Sequence, residues 1–237
     1  MFYAAKAVVV FKIGLNLRLN KKLAVTLAVF WATTPIAFFS QFIFGQYDIF
    51  TLFFTSLGVL FFLKKNRKLF LLFFGIAMTF KYFPLFIFIP LLLLIEIKVT
   101  KLVIQCLIFL SPLAFEILFF FHSSEFHRGV LGFSANQRMF TAGLQIEFNI
   151  TISVFIIVGG LVCVYAYLKD ITNDDEFMQW SMYIPLVVSC LIFSLVVSHP
   201  QWIIFDTPFI AITYFMIKSF IFLAFLDLVG WCIFCFF

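Results

Sequence analysis

The feature that most constrains this chain is a series of apolar runs that recurs along its whole length, separated by short polar or basic stretches. Hydrophobic residues make up 65% of the sequence and charged residues only 11%, and the mean hydropathy is +1.16. A water-soluble domain of this length would have to expose large apolar patches. The pattern therefore predicts an integral, multi-pass membrane protein whose principal partner is the lipid bilayer.

The apolar runs are predicted to be helices, because backbone groups in lipid must be satisfied within their own segment. We expect an all-α fold, a single transmembrane bundle over residues 1–237 with about eight to ten membrane segments. A long polar loop, 122–149, separates the sixth segment from the seventh. The predicted segments are Phe2–Leu17, Leu23–Phe44, Ile49–Leu63, Leu69–Phe80, Leu85–Ile97, Leu102–Phe121, Ile150–Leu168, Met182–Val197, Ile203–Ile217 and Phe220–Phe237.

The basic residues set the predicted orientation. The formal charge of +5 comes from tight clusters between apolar runs, which indicates topology signals and not a nucleic-acid surface. If successive segments alternate in direction, one face collects most of these residues, and the positive-inside rule makes that face cytoplasmic. The opposite face receives Lys81, Arg128 and Arg138. The basic residues of the predicted cytoplasmic loops are Arg18, Lys21, Lys22, Lys64, Lys65, Arg67, Lys68, Lys98, Lys101, Lys169 and Lys218.

Two places complicate this orientation. The stretch Leu69–Ile97 could form one helix kinked at Pro84, but that would reverse all later segments and worsen the charge split. We therefore predict a short helical hairpin that turns at Lys81–Pro84, with its tip in a protein-lined or watery cavity. The first segment would place Met1 outside although Lys6 and Lys12 lie within that segment, which implies either a lost upstream helix or an interfacial first segment. No secretory signal peptide is predicted.

Polar motifs converge on the predicted outer face, and they carry the main functional signal. Asp48 can be either a helix cap or a carboxylate that orients a polar substrate. Lys81 can either snorkel to the interface or bind a phosphate as a point charge. His199 can be a helix-end histidine or part of a binding motif with Gln201. The four outer motifs are Gly45–Asp48, Lys81–Pro84, the loop 122–149 and Ser198–Trp202.

Carboxylates inside apolar segments support an alternative function. Glu116, Asp206 and Asp227 are costly in lipid, and they could form the pathway of a transporter or flippase for a lipid-linked or small polar solute. The chain shows no internal repeat that would favour this function. No metal site is predicted, because the pair Cys232 and Cys235 has neither a second cysteine pair nor a histidine nearby. The remaining cysteines, Cys106, Cys163 and Cys190, also sit in apolar runs.

Three motifs together resemble the membrane glycosyltransferases of the GT-C superfamily, particularly mannosyltransferase-like members. They are Gly45-Gln46-Tyr47-Asp48 after a proline-containing segment, the run from Gly75 to Pro84, and His199-Pro200-Gln201-Trp202 followed by Pro208. The likeness covers about residues 20–215. It implies a hexosyltransferase that takes a mannose-like sugar from a polyprenyl-phosphate donor and passes it to a lipid-linked or protein acceptor on the non-cytoplasmic side.

The resemblance also implies roles for individual residues. Lys81 would hold the donor phosphate, with Arg128 or Arg138 assisting, because inverting transfer needs cations on the departing phosphate. The catalytic residue stays unassigned, with Asp48 as the one outer carboxylate in a matching motif. The residues that would line the sugar and acceptor pocket are Gln46, Asp48, His199 and Gln201.

The sequence departs from the family in one important respect. GT-C enzymes carry their catalytic acidic residue in an outer loop between the first two membrane helices, and nothing here corresponds to that loop. We therefore expect the C-terminal portion of such an enzyme, whether truncated, degenerate or completed by a partner subunit, and expect it to be inactive alone. No cofactor is predicted, and a divalent metal would enter only with ligands from that loop. A structural membrane subunit without chemistry is the third alternative.

Overall fold

The fold was analysed in a computed structural model that describes residues 1–43, 45, 47–128, 143–146, 150–195, 200–217, 225 and 229. The described part is predominantly helical, with one two-stranded hairpin. The helices are α1 (Phe2–Asn16), α2 (Lys21–Thr33), α3 (Pro35–Phe42), α4 (Ile49–Leu63), α5 (Arg67–Phe80), α6 (Phe83–Ile95), α7 (Val99–Phe119), α8 (Ser124–Phe126), α9 (Val154–Leu168), α10 (Asp174–Leu195), a 3₁₀ helix (Pro200–Phe205) and α11 (Thr207–Met216). The strands are β1 (Gly143–Ile146) and β2 (Ile150–Ser153), which pair antiparallel.

The predicted helical hairpin is confirmed. Helix α5 ends at Lys81, whose backbone is extended, and Pro84 lies in the first turn of α6, where its missing N–H is tolerated. The far ends of the two helices meet, because Arg67 Nη1 at the start of α5 donates to Glu96 Oε2 after α6 at 2.6 Å. Phe70 and Phe88 stack between the helices at 5.1 Å. A single kinked helix is incompatible with these contacts.

Ion pairs gather the basic loops at one end of the bundle, as the alternation of segments predicted. Arg18 after α1 and Lys65 after α4 both reach Asp174 at the start of α10, at 3.9 and 2.8 Å. Arg67 joins this end through Glu96. We call it the basic end. The opposite end, called the far end, carries the turns before α4 and between α5 and α6, together with the N-terminus.

Two described helices, α7 and α10, are long and apolar enough to cross a membrane. The pair α2 and α3 would be a third span if the chain crosses through both. Helix α7 buries little besides Gln105 and Phe109, and it exposes large apolar side chains such as Leu107 and Leu118. Such a surface is stable in lipid and not in water. A membrane-associated helical bundle is therefore supported, whereas a total of about eight to ten segments stays a prediction.

Three predicted boundaries are wrong. The segment Leu23–Phe44 is not one helix, because it bends by 51° where Pro35 begins α3 and Thr34 takes an extended conformation. The segment Ile150–Leu168 begins as strand β2, which was not predicted. The segment Met182–Val197 begins too late, since α10 begins at Asp174, where Asn173 accepts a hydrogen bond from the Glu176 N–H at 2.8 Å. The segment Phe220–Phe237 falls almost wholly outside the described residues.

Close packing of α4 against α5 forms the centre of the bundle. Gly58 of α4 lies against the ring of Phe74 so closely that an added Cβ would come within 2.6 Å of Phe74 Cε2. Phe74 in turn contacts Phe88 of α6, and Phe88 stacks on Phe109 of α7 at 3.9 Å. Small residues that allow close helix approach are typical of helix contacts in membranes. This core fixes the position of the α5–α6 turn at the far end.

Candidate functional site

The far end holds a buried ion pair between two turns that are distant in the sequence. Lys81 Nζ in the α5–α6 turn lies 2.7 Å from Asp48 Oδ1, immediately before α4, close enough for an ion pair although the two groups are not aligned as a hydrogen bond. The two side chains are only 16% and 5% exposed. Asp48 stands at the N-cap position of α4, one of the two predicted alternatives, but its side chain makes no cap hydrogen bond. Lys81, interpreted from the sequence as a lone ammonium, has a carboxylate partner.

Local backbone geometry sets this pair in place. Gly45 has a φ of +60°, a left-handed conformation that glycine adopts without strain, and it turns the chain between α3 and α4. Lys81 has an extended backbone at φ −156° and ψ 152°, so α5 stops there. Pro84 then starts α6. Each motif thus ends one helix and begins another with its polar residue at the turn.

Aromatic rings surround the Lys81 ammonium on several sides. The nitrogen lies 4.7 Å from the ring centre of Trp202, 5.2 Å from that of Tyr47 and 5.8 Å from that of Phe83. A cation within about 6 Å of a ring face is attracted by the ring quadrupole. The rings also shield the pair from solvent on these sides. Three of the four predicted outer motifs therefore contribute a side chain to one place: Asp48, Lys81 and Trp202.

A cavity lies near the turn that carries Asp48, although neither Asp48 nor Lys81 lines it. It has a volume of about 430 Å³ and lies between the first turn of α1, the end of α3 and the turn that carries Tyr47. Its walls are mostly apolar, with Phe2, Phe42 and Phe50. Gln41 also lines it, and the Oε1 atom of this amide is buried without a hydrogen-bond partner. A ligand with hydroxyl groups could satisfy that oxygen.

The other predicted pocket residues do not all meet here. Arg128 follows the short helix α8, where it forms an ion pair with Glu125, and both side chains are largely exposed. The structure therefore gives Arg128 no contact with Lys81. Gln46, Arg138 and His199 lie outside the described residues. Gln201 belongs to the 3₁₀ helix, but its side chain lies outside the described part of the structure.

The carboxylates of the predicted transport pathway are described in part. Asp206 is buried before α11 with Oδ1 lacking a hydrogen-bond partner. Glu116 Oε2, on α7, is also buried and has no hydrogen-bond partner. Asp227 lies outside the described residues, as do Cys232 and Cys235. A pathway through these residues stays a prediction. No group of three or more His, Cys, Asp or Glu side chains that could hold a metal is found among the described residues.

A second buried basic residue is Lys6, whose contacts inside the bundle were not predicted from the sequence. Its side chain is fully buried, and Nζ donates to the Leu52 carbonyl at 3.1 Å and to Ser56 Oγ, both on α4. The Trp31 ring of α2 lies 5.8 Å away. The Lys6 side chain is therefore hydrogen-bonded within the protein and not exposed to lipid.

No family model, no curated protein and no solved structure matches this chain. The function of the far end is therefore inferred from its residues and their geometry.

Proposed function

We propose that this chain belongs to a GT-C-like membrane glycosyltransferase and that its far end binds the phosphate of a polyprenyl-phosphate-linked sugar at Lys81. The observation that carries the proposal is the buried Asp48–Lys81 ion pair at the far end. Tyr47 connects it to the apolar cavity, because this residue lines the cavity and its ring centre lies 5.2 Å from Lys81 Nζ. Keeping a charged side chain inside a membrane bundle costs free energy, so ionisable residues found there usually have a functional role. The donor is a lipid with one anionic group, which matches one ammonium within an apolar surround.

Lys81 supplies the phosphate contact in this proposal. An ammonium has three N–H donors, and among the described residues one carboxylate oxygen is close to Lys81 Nζ, so a phosphate oxygen can share the ammonium with Asp48. The rings of Tyr47 and Trp202 offer apolar faces to the first prenyl unit or to the C–H face of a sugar. As the bond to the sugar breaks, negative charge grows on the departing phosphate, and the ammonium stabilises it.

Asp48 acts as the positioning residue for Lys81. A carboxylate that is engaged by an ammonium at 2.7 Å is not free to take the proton of an acceptor hydroxyl, so the general base remains unassigned. The neighbouring cavity, with the Gln41 amide oxygen in its wall, is the proposed location of the sugar. The mannose-like identity of that sugar comes from the family resemblance alone.

The proposal includes an orientation. The basic end would face the cytoplasm, since Lys and Arg accumulate in cytoplasmic loops, and the far end would face the opposite side. The shorter apolar helices α4, α6, α9 and α11 would then complete a multi-pass bundle together with α7, α10 and the bent pair. Lipid-linked donors would reach Lys81 from the outer leaflet.

Donor binding tests the Lys81 contact. The double variant Asp48→Asn, Lys81→Met removes the ammonium without leaving an unpaired buried carboxylate. In nanodiscs, its affinity for a polyprenyl-phosphate mannose is expected to fall by about 10- to 100-fold, the value of a hydrogen bond to a charged group. Binding is measured by titration with a fluorescent donor.

Lys98→Met is the matched control, because it removes an exposed ammonium at the basic end. Its donor affinity should equal that of the wild type. Sugar-free polyprenyl phosphate should compete with the donor in the wild type and in Lys98→Met, since the phosphate supplies the contact with Lys81. Equal donor affinity in the wild type and in the double variant would refute the role of Lys81.

A further inference from the structure

A cleft at the basic end has a composition distinct from that of the far-end cavity. It has a volume of about 350 Å³ and lies between the α4–α5 turn, the end of α6 and the start of α10. Its floor includes the buried rings of Phe62, Phe70 and Phe177. Its rim carries two cations, Lys65 and Arg67. An apolar floor beneath a cationic rim suits an amphipathic anion.

The Lys65 side chain is held over this floor by several contacts. Nζ pairs with Asp174 at 2.8 Å and lies 5.4 Å from the centre of the Phe177 ring, which stacks on Phe62 at 5.3 Å. Lys65 also has a φ of 56°, a left-handed conformation that costs a non-glycine residue about 1 kcal/mol. This conformation belongs to the C-terminal cap of α4, in which the Asn66 N–H donates a hydrogen bond to the Phe61 carbonyl at 2.9 Å.

Not all N–H donors of the Arg67 guanidinium are engaged by Glu96 and Ile95. Nη1 donates to Glu96 at 2.6 Å, and Nη2 donates to the Ile95 carbonyl at 3.3 Å. The hydrogen bond from Arg67 Nη1 lowers the pKa of the Glu96 carboxyl. The carboxylate therefore stays ionised and holds the guanidinium in place. A guanidinium has five N–H donors, so others remain for a phosphate oxygen.

The surroundings of the cleft carry surplus positive charge. Lys64 and Lys68 stand one residue from the rim residues, and Lys98 and Lys101 follow Glu96. All four are exposed, and none forms an ion pair with a residue that the structure describes. Clusters of Lys and Arg at the end of membrane helices attract anionic head groups. Charge complementarity therefore favours a head group with a net negative charge over a zwitterionic one.

We propose that this cleft binds an anionic phospholipid, with its phosphate at Lys65 and Arg67 and the first methylene groups of a chain on the Phe62, Phe70 and Phe177 floor. The volume falls within the range of small-molecule sites, about 300 to 1,000 Å³. The site joins α4, α5, α6 and α10, so a bound lipid would tie together four helices at the basic end. It is separate from the far-end pair and does not depend on the proposed transferase function.

Lipid retention by the purified full-length chain tests the site. Phosphatidylglycerol or phosphatidylcholine is added in detergent, and the bound lipid is measured by native mass spectrometry. Lys65→Gln is expected to weaken phosphatidylglycerol binding about fivefold, the contribution of one cation. Phosphatidylcholine binding should fall by less, because the choline cation offsets the charge of its phosphate. Its ion pair with Asp174 is largely exposed, so the variant should fold. Arg67→Gln should weaken phosphatidylglycerol binding in the same way.

The control is Lys22→Gln, which removes an exposed charge at the basic end outside the residues that line the cleft. Phosphatidylglycerol binding should be unaffected by it. Equal losses in Lys65→Gln and Lys22→Gln would reduce the effect to general surface charge and overturn the site. Displacement of the lipid by millimolar inorganic phosphate would assign the cleft to free phosphate and overturn the lipid as its occupant.

Discussion

Lys81→Met is expected to lower the free energy of unfolding by about 3 to 5 kcal/mol, because it leaves the buried Asp48 carboxylate without its ammonium partner. Methionine keeps the apolar length of the side chain, so the loss reports the broken ion pair and not a packing defect. Unfolding can be followed by titration with a denaturing detergent in mixed micelles. Asp48→Asn alone should also destabilise the protein, since it leaves the ammonium unpaired.

The double variant Asp48→Asn, Lys81→Met provides the internal control. With neither charge present, stability should return to within about 1 kcal/mol of the wild type, because a buried pair contributes little over neutral side chains of similar size. A double-variant loss equal to the sum of the single losses would mean that the two residues act independently. The ion pair would then have no energetic role.

Gly58→Ala should destabilise the bundle by about 1 to 3 kcal/mol, the usual effect of overpacking a core. The added methyl group would meet the buried ring of Phe74, which is held between α4, α5 and α6 and cannot swing aside. The same change at an open helix position normally stabilises by about 1 kcal/mol. The sign of the effect is therefore informative, and detergent-induced unfolding measures it.

Gly160→Ala in α9 is the matched comparison, since no atom of the described residues outside its chain neighbours and its own helix backbone lies within 4 Å of the added Cβ. It should be neutral or stabilising. Phe74→Leu should partly relieve Gly58→Ala, with a coupling of about 0.5 to 3 kcal/mol between the two sites. If Gly58→Ala were as harmless as Gly160→Ala, α4 and α5 would not pack as closely as described.

Much of the architecture could be predicted from the distribution of charged residues and from the short polar stretches between apolar runs. The hairpin at Lys81–Pro84 followed from comparing the charge splits of two topologies, and contacts of Arg67 with Glu96 confirm it. The same comparison brought Asp48, Lys81 and Trp202 to one end, where the structure places them in contact or near contact. The end of the bundle at which a loop lies could be predicted from the charges of that loop, which are visible in the sequence.

Side-chain pairing could not be predicted in the same way. A helix that is apolar all round does not indicate which face it buries, so nothing in the sequence directed Lys6 toward Leu52 and Ser56. The Asp48–Lys81 pair joins two different turns, and only the packed helices bring them within 2.7 Å. The short hairpin of β1 and β2 was missed because its apolar second strand merged with the run that forms α9.

Two-sided cysteine labelling tests most directly whether the far end and the basic end lie on opposite faces of a membrane. In a background without native cysteines, single cysteines are placed at Tyr47 of the far end, at Ser124 after α7, and at Asn66 and Asn173 of the basic end, all of them exposed. A membrane-impermeant maleimide is added to intact cells and then to inside-out vesicles. We expect Tyr47→Cys and Ser124→Cys to react only in intact cells, and Asn66→Cys and Asn173→Cys only in the vesicles. Labelling of Tyr47→Cys and Asn66→Cys from the same side would contradict the proposed orientation and the outer location of the Asp48–Lys81 site.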